Sequence, residues 1–168
     1  MAANQVRKNF NFFIDGRGYA GDVEEVNPPK LTLKTEEFRA GGMNAPVELT
    51  LGMEKLETDF TMVSYDPDIL SLWSVVEGAS VSYILREALE SFDGTLVGTI
   101  HTMRGKIKEI DPGVTKPGEV PHLKCTVALT YYKMQVGTVV VNEIDVLNMI
   151  QVINGVDVLA ATRSALGM

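Results

Sequence analysis

Polar and apolar positions alternate along most of this 168-residue chain, which predicts strands far more often than helices. In "VELTL", Val47, Leu49 and Leu51 fall on one side of an extended backbone and Glu48 and Thr50 on the other. "LETDFTM" likewise sets Leu56, Phe60 and Met62 against Glu57, Asp59 and Thr61. Both read as half-buried strands. Near the N-terminus Phe10, Phe12 and Ile14 share a side, and Asp15-Gly16-Arg17-Gly18 has the composition of a tight turn, which makes a short hairpin. After the extended Asn27-Pro28-Pro29, "KLTLKTEEF" alternates Leu31 and Leu33 with polar neighbours. Two long strands follow later, Thr95 to Ile110 and His122 to Gln135, joined by the loop "DPGVTKPGEVP". In the second, Leu123, Cys125, Val127, Leu129 and Tyr131 share a face, and "TVVVNEI" completes a hairpin after Gly137.

The period changes in two places. In "YDPDILSLWSVVEG", Asp66 suits an N-cap, Pro67 the first helical position and Gly78 the C-terminal cap. Ile69, Leu72, Trp73 and Val76 recur at helical spacing, so this short helix is expected to pack on a sheet with Trp73 as a core anchor. The tail gives an apolar run "VLNMIQVI", a turn at Asn154-Gly155, and a helix with Asp157 as cap and Gly167 closing it. Residues 81–92 fit either period, because Leu85, Arg86, Glu87, Ala88 and Leu89 favour helix while Tyr83, Leu85 and Leu89 also fit a strand. The sum is one antiparallel, mostly β domain spanning residues 1–168, with two short helices, a long inter-strand loop and no repeat.

One interruption stands out. Between "TEEF" and "VELTL", Arg39 leads into Ala40-Gly41-Gly42-Met43-Asn44-Ala45-Pro46, which relaxes the backbone and ends on a residue that cannot donate to a ladder. A hairpin needs two to five connecting residues; a stretch of about eight carrying a methionine reads as a contact arm, or else as a disordered tip.

Composition narrows the function. An apolar fraction of 45% and a charged fraction of 22% suit a soluble globular domain, and no apolar run approaches a bilayer span. The segment "MAANQVRKNFNFFIDG" lacks the continuous apolar core of a signal peptide, so synthesis and folding in the cytoplasm are expected. The net charge of -7, without a basic cluster, argues against a protein that grips nucleic acid, though not against a surface that nucleic acid passes without sticking. Two histidines and one cysteine make no convincing metal site. His122 and Cys125 are three apart in a strand and fall on opposite faces, which defeats a nucleophile and base pair. No catalytic set and no cofactor site is expected, and the chain does not read as an enzyme.

Several longer stretches carry a family resemblance: "FFIDG" with "YAGDVEEVNPPKLTLKTEEFRAGGMNAPVELTLGMEKLE", then "MRGKIKEIDPG", "TYYKMQVGTVVVNEIDVLN" and "INGVDVLAATRSALG". In these the chain resembles the major tail tube proteins of contractile-tailed bacteriophages and of R-type pyocins, over nearly its whole length. The resemblance implies a β-sandwich or barrel-like tail tube fold, assembled as hexameric rings that stack into a hollow tube in the virion tail. The implied partners are further copies of the chain, a contractile sheath, a tape-measure protein, baseplate and tail terminator proteins, with the genome passing through unbound. By the same resemblance the loop reaches neighbouring subunits and the adjacent ring, making Arg39, Gly41, Gly42, Met43, Asn44 and Pro46 interface residues, with Met53 offering a further adaptable apolar contact. Glu48, Glu57 and Asp59 are expected to face the lumen, or else solvent or a neighbour. Asp66 and Asp68, acidic at a helix start, are expected to dock basic residues of the sheath. A DNA-free injection device would use the same polymer.

Overall fold

The computed structural model describes residues 4–73 and 76–168; the readings made above of residues 1–3 and 74–75 fall outside them. The chain opens with β1 (Val6–Ile14), which turns through Asp15 and Gly16 into β2 (Arg17–Gly18). Both turn residues have positive φ, 49° and 81°, the type I′ geometry whose twist matches its strands. The expected short hairpin is there. β3 (Val23–Asn27) follows, a strand that the alternation had not announced. β4 (Leu33–Phe38) and β5 (Val47–Met53) pair only with each other, and β6 (Glu57–Met62) returns the chain to the main sheet.

Beyond α1 (Pro67–Leu70) the chain becomes a meander of long strands: β7 (Val81–Glu90), β8 (Leu96–Asp111), β9 (Leu123–Val136), β10 (Val139–Asp145), β11 (Ile150–Ile153) and β12 (Val156–Asp157). The last element is α2 (Ala160–Leu166). The ambiguous segment is therefore strand, because β7 is paired along its length by β1 on one side and β8 on the other, and ladder pairing overrides helix propensity.

The main sheet is antiparallel and runs β12-β11-β10-β9-β8-β7-β1-β2, with β6 and then β3 branching from β9. β9 is where it divides. Leu123 to Ala128 pair with β6, Tyr131 to Val136 pair with β10, and β8 lies along the opposite edge throughout. From β6 to β1 is four ladder steps, about 19 Å in a flat sheet at about 4.8 Å per strand. Yet the rings of Phe60 on β6 and Phe12 on β1 lie 5.1 Å apart, and Tyr83 on β7 is 6.2 Å from each. The sheet has curled onto itself around one core, the barrel-like closure that the family resemblance implies.

That core is built from alternate strand positions. Leu56, Thr58, Phe60 and Met62 point inward, as do Leu123, Cys125, Val127 and Leu129. The expected continuation to Tyr131 fails, because the register shift at Gly105 turns Tyr132 inward in its place. Burial raises the Cys125 thiol to about 11, so it stays protonated as a small apolar filler. His122 lies outside, 2.9 Å from Glu24, so the two residues stay on opposite faces. Gly105 on β8 is required by close approach: a Cβ there would lie 2.1 Å from the carbonyl oxygen of Ala128.

Three further expectations need correction. The helix expected over Asp66 to Gly78 is a single turn, and of its apolar positions Ile69 is buried whereas Trp73 is half exposed, resting on the sheet rim through a bridge to Ile107 and an indole N–H donated to Lys108 O. Asp157 is not the cap of α2, since it lies in β12; Leu159 occupies the cap position and Asp157 Oδ1 accepts its N–H at 3.1 Å. Gly167, left-handed at φ 74°, does close the helix. Finally β5 is not half buried. Val47, Leu49 and Leu51 are 45%, 48% and 58% exposed, because nothing among the described residues covers them.

Candidate assembly surface

β4 and β5 form an arm outside the body. Its register pairs Phe38 with Val47, Glu36 with Leu49, Glu37 with Glu48 and Thr35 with Thr50. Side chains of directly opposed residues share a face, so Phe38, Val47 and Leu49 gather on one side and Glu37 and Glu48 on the other. At the root the register shifts between Lys34 and Thr35, beside Gly52 at φ 144°, a conformation that side chains strongly disfavour. The Glu54 N–H bonds Thr32 O at 2.9 Å and closes the root.

The tip is a turn with its own bonds. Met43 N–H donates to Ala40 O at 3.2 Å, Ala40 N–H to Met43 Sδ at 3.3 Å, and Arg39 Nε to Met43 O at 3.3 Å. Gly42 takes φ 86° inside it. Arg39, Gly41, Gly42, Asn44 and Pro46 are exposed around a half-buried Met43, so six of the seven expected contact residues sit together. The seventh, Met53, lies at the other end of the arm and packs against the core edge.

The three acids read as lumen residues are not brought together. Glu48 is on the arm, facing Glu37. Glu57 and Asp59 are on the outer side of β6, where Glu57 pairs with Lys108 and with Lys55 at 2.9 Å, and Asp59 accepts from Asn27 Nδ2 at 2.5 Å with Lys124 at 3.9 Å. The Lys108 and Lys55 ammonium groups hold the Glu57 carboxyl below the usual carboxylate range. Asp66 and Asp68 do sit together. Asp66 Oδ1 accepts the Asp68 N–H at 2.9 Å as a helix cap, and Arg17 lies 2.6 Å from Asp68 and 3.9 Å from Asp66. Asp68 is the outward one, its side chain 74% exposed against 18% for Asp66.

Open edges complete this surface. β2 covers the outer edge of β1 only at Phe13 and Ile14, and the Tyr19 N–H donates to Phe12 O at 2.9 Å, so from Val6 to Asn11 β1 has one ladder neighbour among the described strands. Both outer edges of the arm are likewise unpaired there. Exposed edges beside an apolar face are what soluble monomers avoid. Sequence reasoning missed Phe38 and Glu37, whose roles depend on cross-strand register, and missed the β1 edge, which depends on topology.

The family model described as phage tail tube protein FII matches residues 4–167. The chain belongs to that tail tube family. Its relatives include the tail tube protein of Escherichia phage P2, 33% identical over 174 residues covering the whole of both chains. The major tail tube protein of Serratia phage KSP20 is 32% identical across 89% of this chain and 88% of its own. Among solved structures, a chain in the six-fold symmetrised cryo-EM structure of the anti-feeding prophage baseplate shares the fold, with a TM-score of 0.51 and 14% identity over 80% of this chain and 94% of that one. Among the described residues, no group of side chains is arranged to hold a metal ion and no helix is long and apolar enough to cross a membrane.

Proposed function

We propose that this tail tube protein is the repeating subunit of the inner tube of a contractile phage tail. Six copies close into a ring, and rings stack into a conduit through which the genome is delivered. The observation that carries this reading is the β4–β5 arm, which holds Phe38, Val47 and Leu49 in water with both its edges open. Docked on further copies, the arm buries that face, and each of these half-exposed side chains contributes about half of the roughly 1.5–3 kcal/mol of a complete burial. Arg39, Gly41, Gly42, Met43, Asn44 and Pro46 make the contact at the tip and Met53 anchors its root. A contact between unlike surfaces of successive rings repeats without closing, which produces a filament.

Six copies at -7 each give a ring of -42, a wall that repels phosphate. Glu48 is the strongest lumen residue of the three, because its charge is not offset by the lysines that face Glu57 and Asp59. Screening within about 8 Å keeps the repulsion short in range, so DNA slides without specific binding. On the outside, Asp68 presents its carboxylate to basic residues of the sheath while Asp66 holds the turn. The tape-measure protein fills the tube during assembly, baseplate and terminator proteins bound its ends, and the chain is made in the host cytoplasm before entering the virion tail.

Negative-stain electron microscopy of the purified protein over a concentration series tests this. Hollow filaments of constant width, or six-fold rings, are expected; monomers at every concentration, even with preformed baseplates added, would sink the reading. A second reading is a tube in a DNA-free injection device, which would use the same polymer. Nuclease-protected DNA in purified particles separates the two.

A further inference from the structure

A cleft of about 580 Å³ opens between the root of the β4–β5 arm and the C-terminal part of the chain. Leu33, Leu51 and Met53 line it from the arm, and Val146, Met149 and Leu159 line it from the other side. Leu33, Leu51 and Val146 are exposed, so the walls are apolar and wet. Asp145 is the single charged residue of the lining. Its carboxylate accepts the Asn148 N–H at 3.1 Å and Asn148 Nδ2 at 2.7 Å, both from a neutral residue, and these bonds hold it in place. Arg104 stands two strands away in the same row, with Tyr131 between them and its guanidinium 4.7 Å from the centre of that ring. Lys34 alternates with Leu33 along β4 and so belongs to the other face of the arm.

The tip of the arm has the complementary make-up. From Arg39 to Pro46 its one charged residue is Arg39. Arg39 Nε donates to Met43 O, an uncharged acceptor, and no carboxylate meets the guanidinium among the described residues. Met43 stands among Ala40, Gly41 and Gly42, small neighbours that leave its flexible thioether free to fit an apolar space. The tip does not reach the cleft of its own chain. Val47 to Met53 makes six steps of about 3.3 Å, which sets tip and root about 20 Å apart along an intact ladder.

We propose that the tip of one copy's arm seats in the cleft at the root of a second copy's arm, with Met43 against Leu51, Met149 and Leu159 and Arg39 paired with Asp145. The docking rests on the tube reading and names what receives the tip. Each copy then carries a tip at one end of its arm and a cleft at the other, unlike surfaces that repeat from copy to copy without pairing off. Seating takes the exposed Leu33 and Leu51 out of water. The ion pair sets the register, because a cation left unpaired between apolar walls opposes closure.

Two single-cysteine variants of the full chain, Met43→Cys and Met149→Cys, test the contact when they are mixed in equal amounts and oxidised. The native Cys125 is buried and stays out of the reaction. A disulfide-linked pair is expected in the mixture and not in either variant alone. The link is scored on denaturing gels whether or not tubes form. Its absence from the mixture overturns the docking even where electron microscopy shows normal tubes, and a link without tubes supports the docking while the tube reading fails. Adding Arg39→Glu to the tip copy should lower the yield at least about tenfold, and adding Asp145→Lys to the cleft copy should recover it. A yield that ignores Arg39→Glu, or a double exchange no better than the single one, overturns the pairing.

Discussion

Glu37 stands directly opposite Glu48 across the β4–β5 ladder, two like charges paired on an arm that is exposed along its length. Opposed like charges weaken a strand pair, so the arm is held below its best stability in the free chain. Glu48→Lys should replace repulsion with attraction and stabilise the arm by about 0.2–1 kcal/mol. Slower amide exchange across Thr35 to Phe38 is the expected readout, and unchanged exchange would contradict the register. If Glu48 lines the lumen, assembled tails carrying the lysine should also deliver DNA more slowly at normal tube length.

Deleting residues 40–45 should separate folding from assembly. Among the described residues the tip bonds to itself alone and contributes no side chain to the buried core. The shortened chain should keep its thermal unfolding cooperative and its monomer folded while losing filaments in the microscope. Normal filaments would remove the tip from the interface.

Gly105→Ala should be among the most damaging single substitutions. The added methyl would lie 2.1 Å from Ala128 O and 2.9 Å from Leu129 Cα, both backbone, so it can be accommodated only by parting β8 from β9. A loss of at least about 3 kcal/mol is expected by denaturant titration. A loss below 1 kcal/mol would mean that these strands are further apart than described.

Asp157 anchors α2, none of whose residues is buried. Its carboxylate takes Arg163 Nη2 at 2.5 Å, and Arg163 Nη1 donates to Met149 O at 2.8 Å. The Arg163 bond holds the Asp157 carboxyl below its ordinary value. The anchor is therefore complete above the unfolded pKa of about 3.9 and fails as pH falls through the lower folded value. Asp157→Asn should fray α2 at neutral pH, seen as faster amide exchange over Arg163 to Gly167, and should remove the acid dependence of that exchange.

Much of this was legible in the chain. Leu56, Phe60 and Met62, or Leu123, Cys125, Val127 and Leu129, alternate because one side of each strand meets the core, and the structure keeps that alternation. The same signal misled at Val47, Leu49 and Leu51. Alternation shows that one face wants cover; it does not say whether the cover comes from the same chain. Residues 81–90 were undecidable because Leu85, Arg86, Glu87 and Ala88 are good helix formers, and only β1 and β8 on either side make them a strand. The expected contact residues at the tip were legible as a group from glycine and proline, whereas the lumen acids were not, because neutralisation by Lys55, Lys108 and Lys124 is a matter of tertiary placement.

β8 and β9 belong to both halves of the divided sheet, one carrying β6 and β3 and the other β10, β11 and β12. Sliding one half past the other would break ladder hydrogen bonds along β9 on both of its edges. Mechanically the domain is therefore stiff in shear, with its compliance concentrated at the root of the arm, where Gly52 and the register shift interrupt the one ladder among the described strands that does not join the rest.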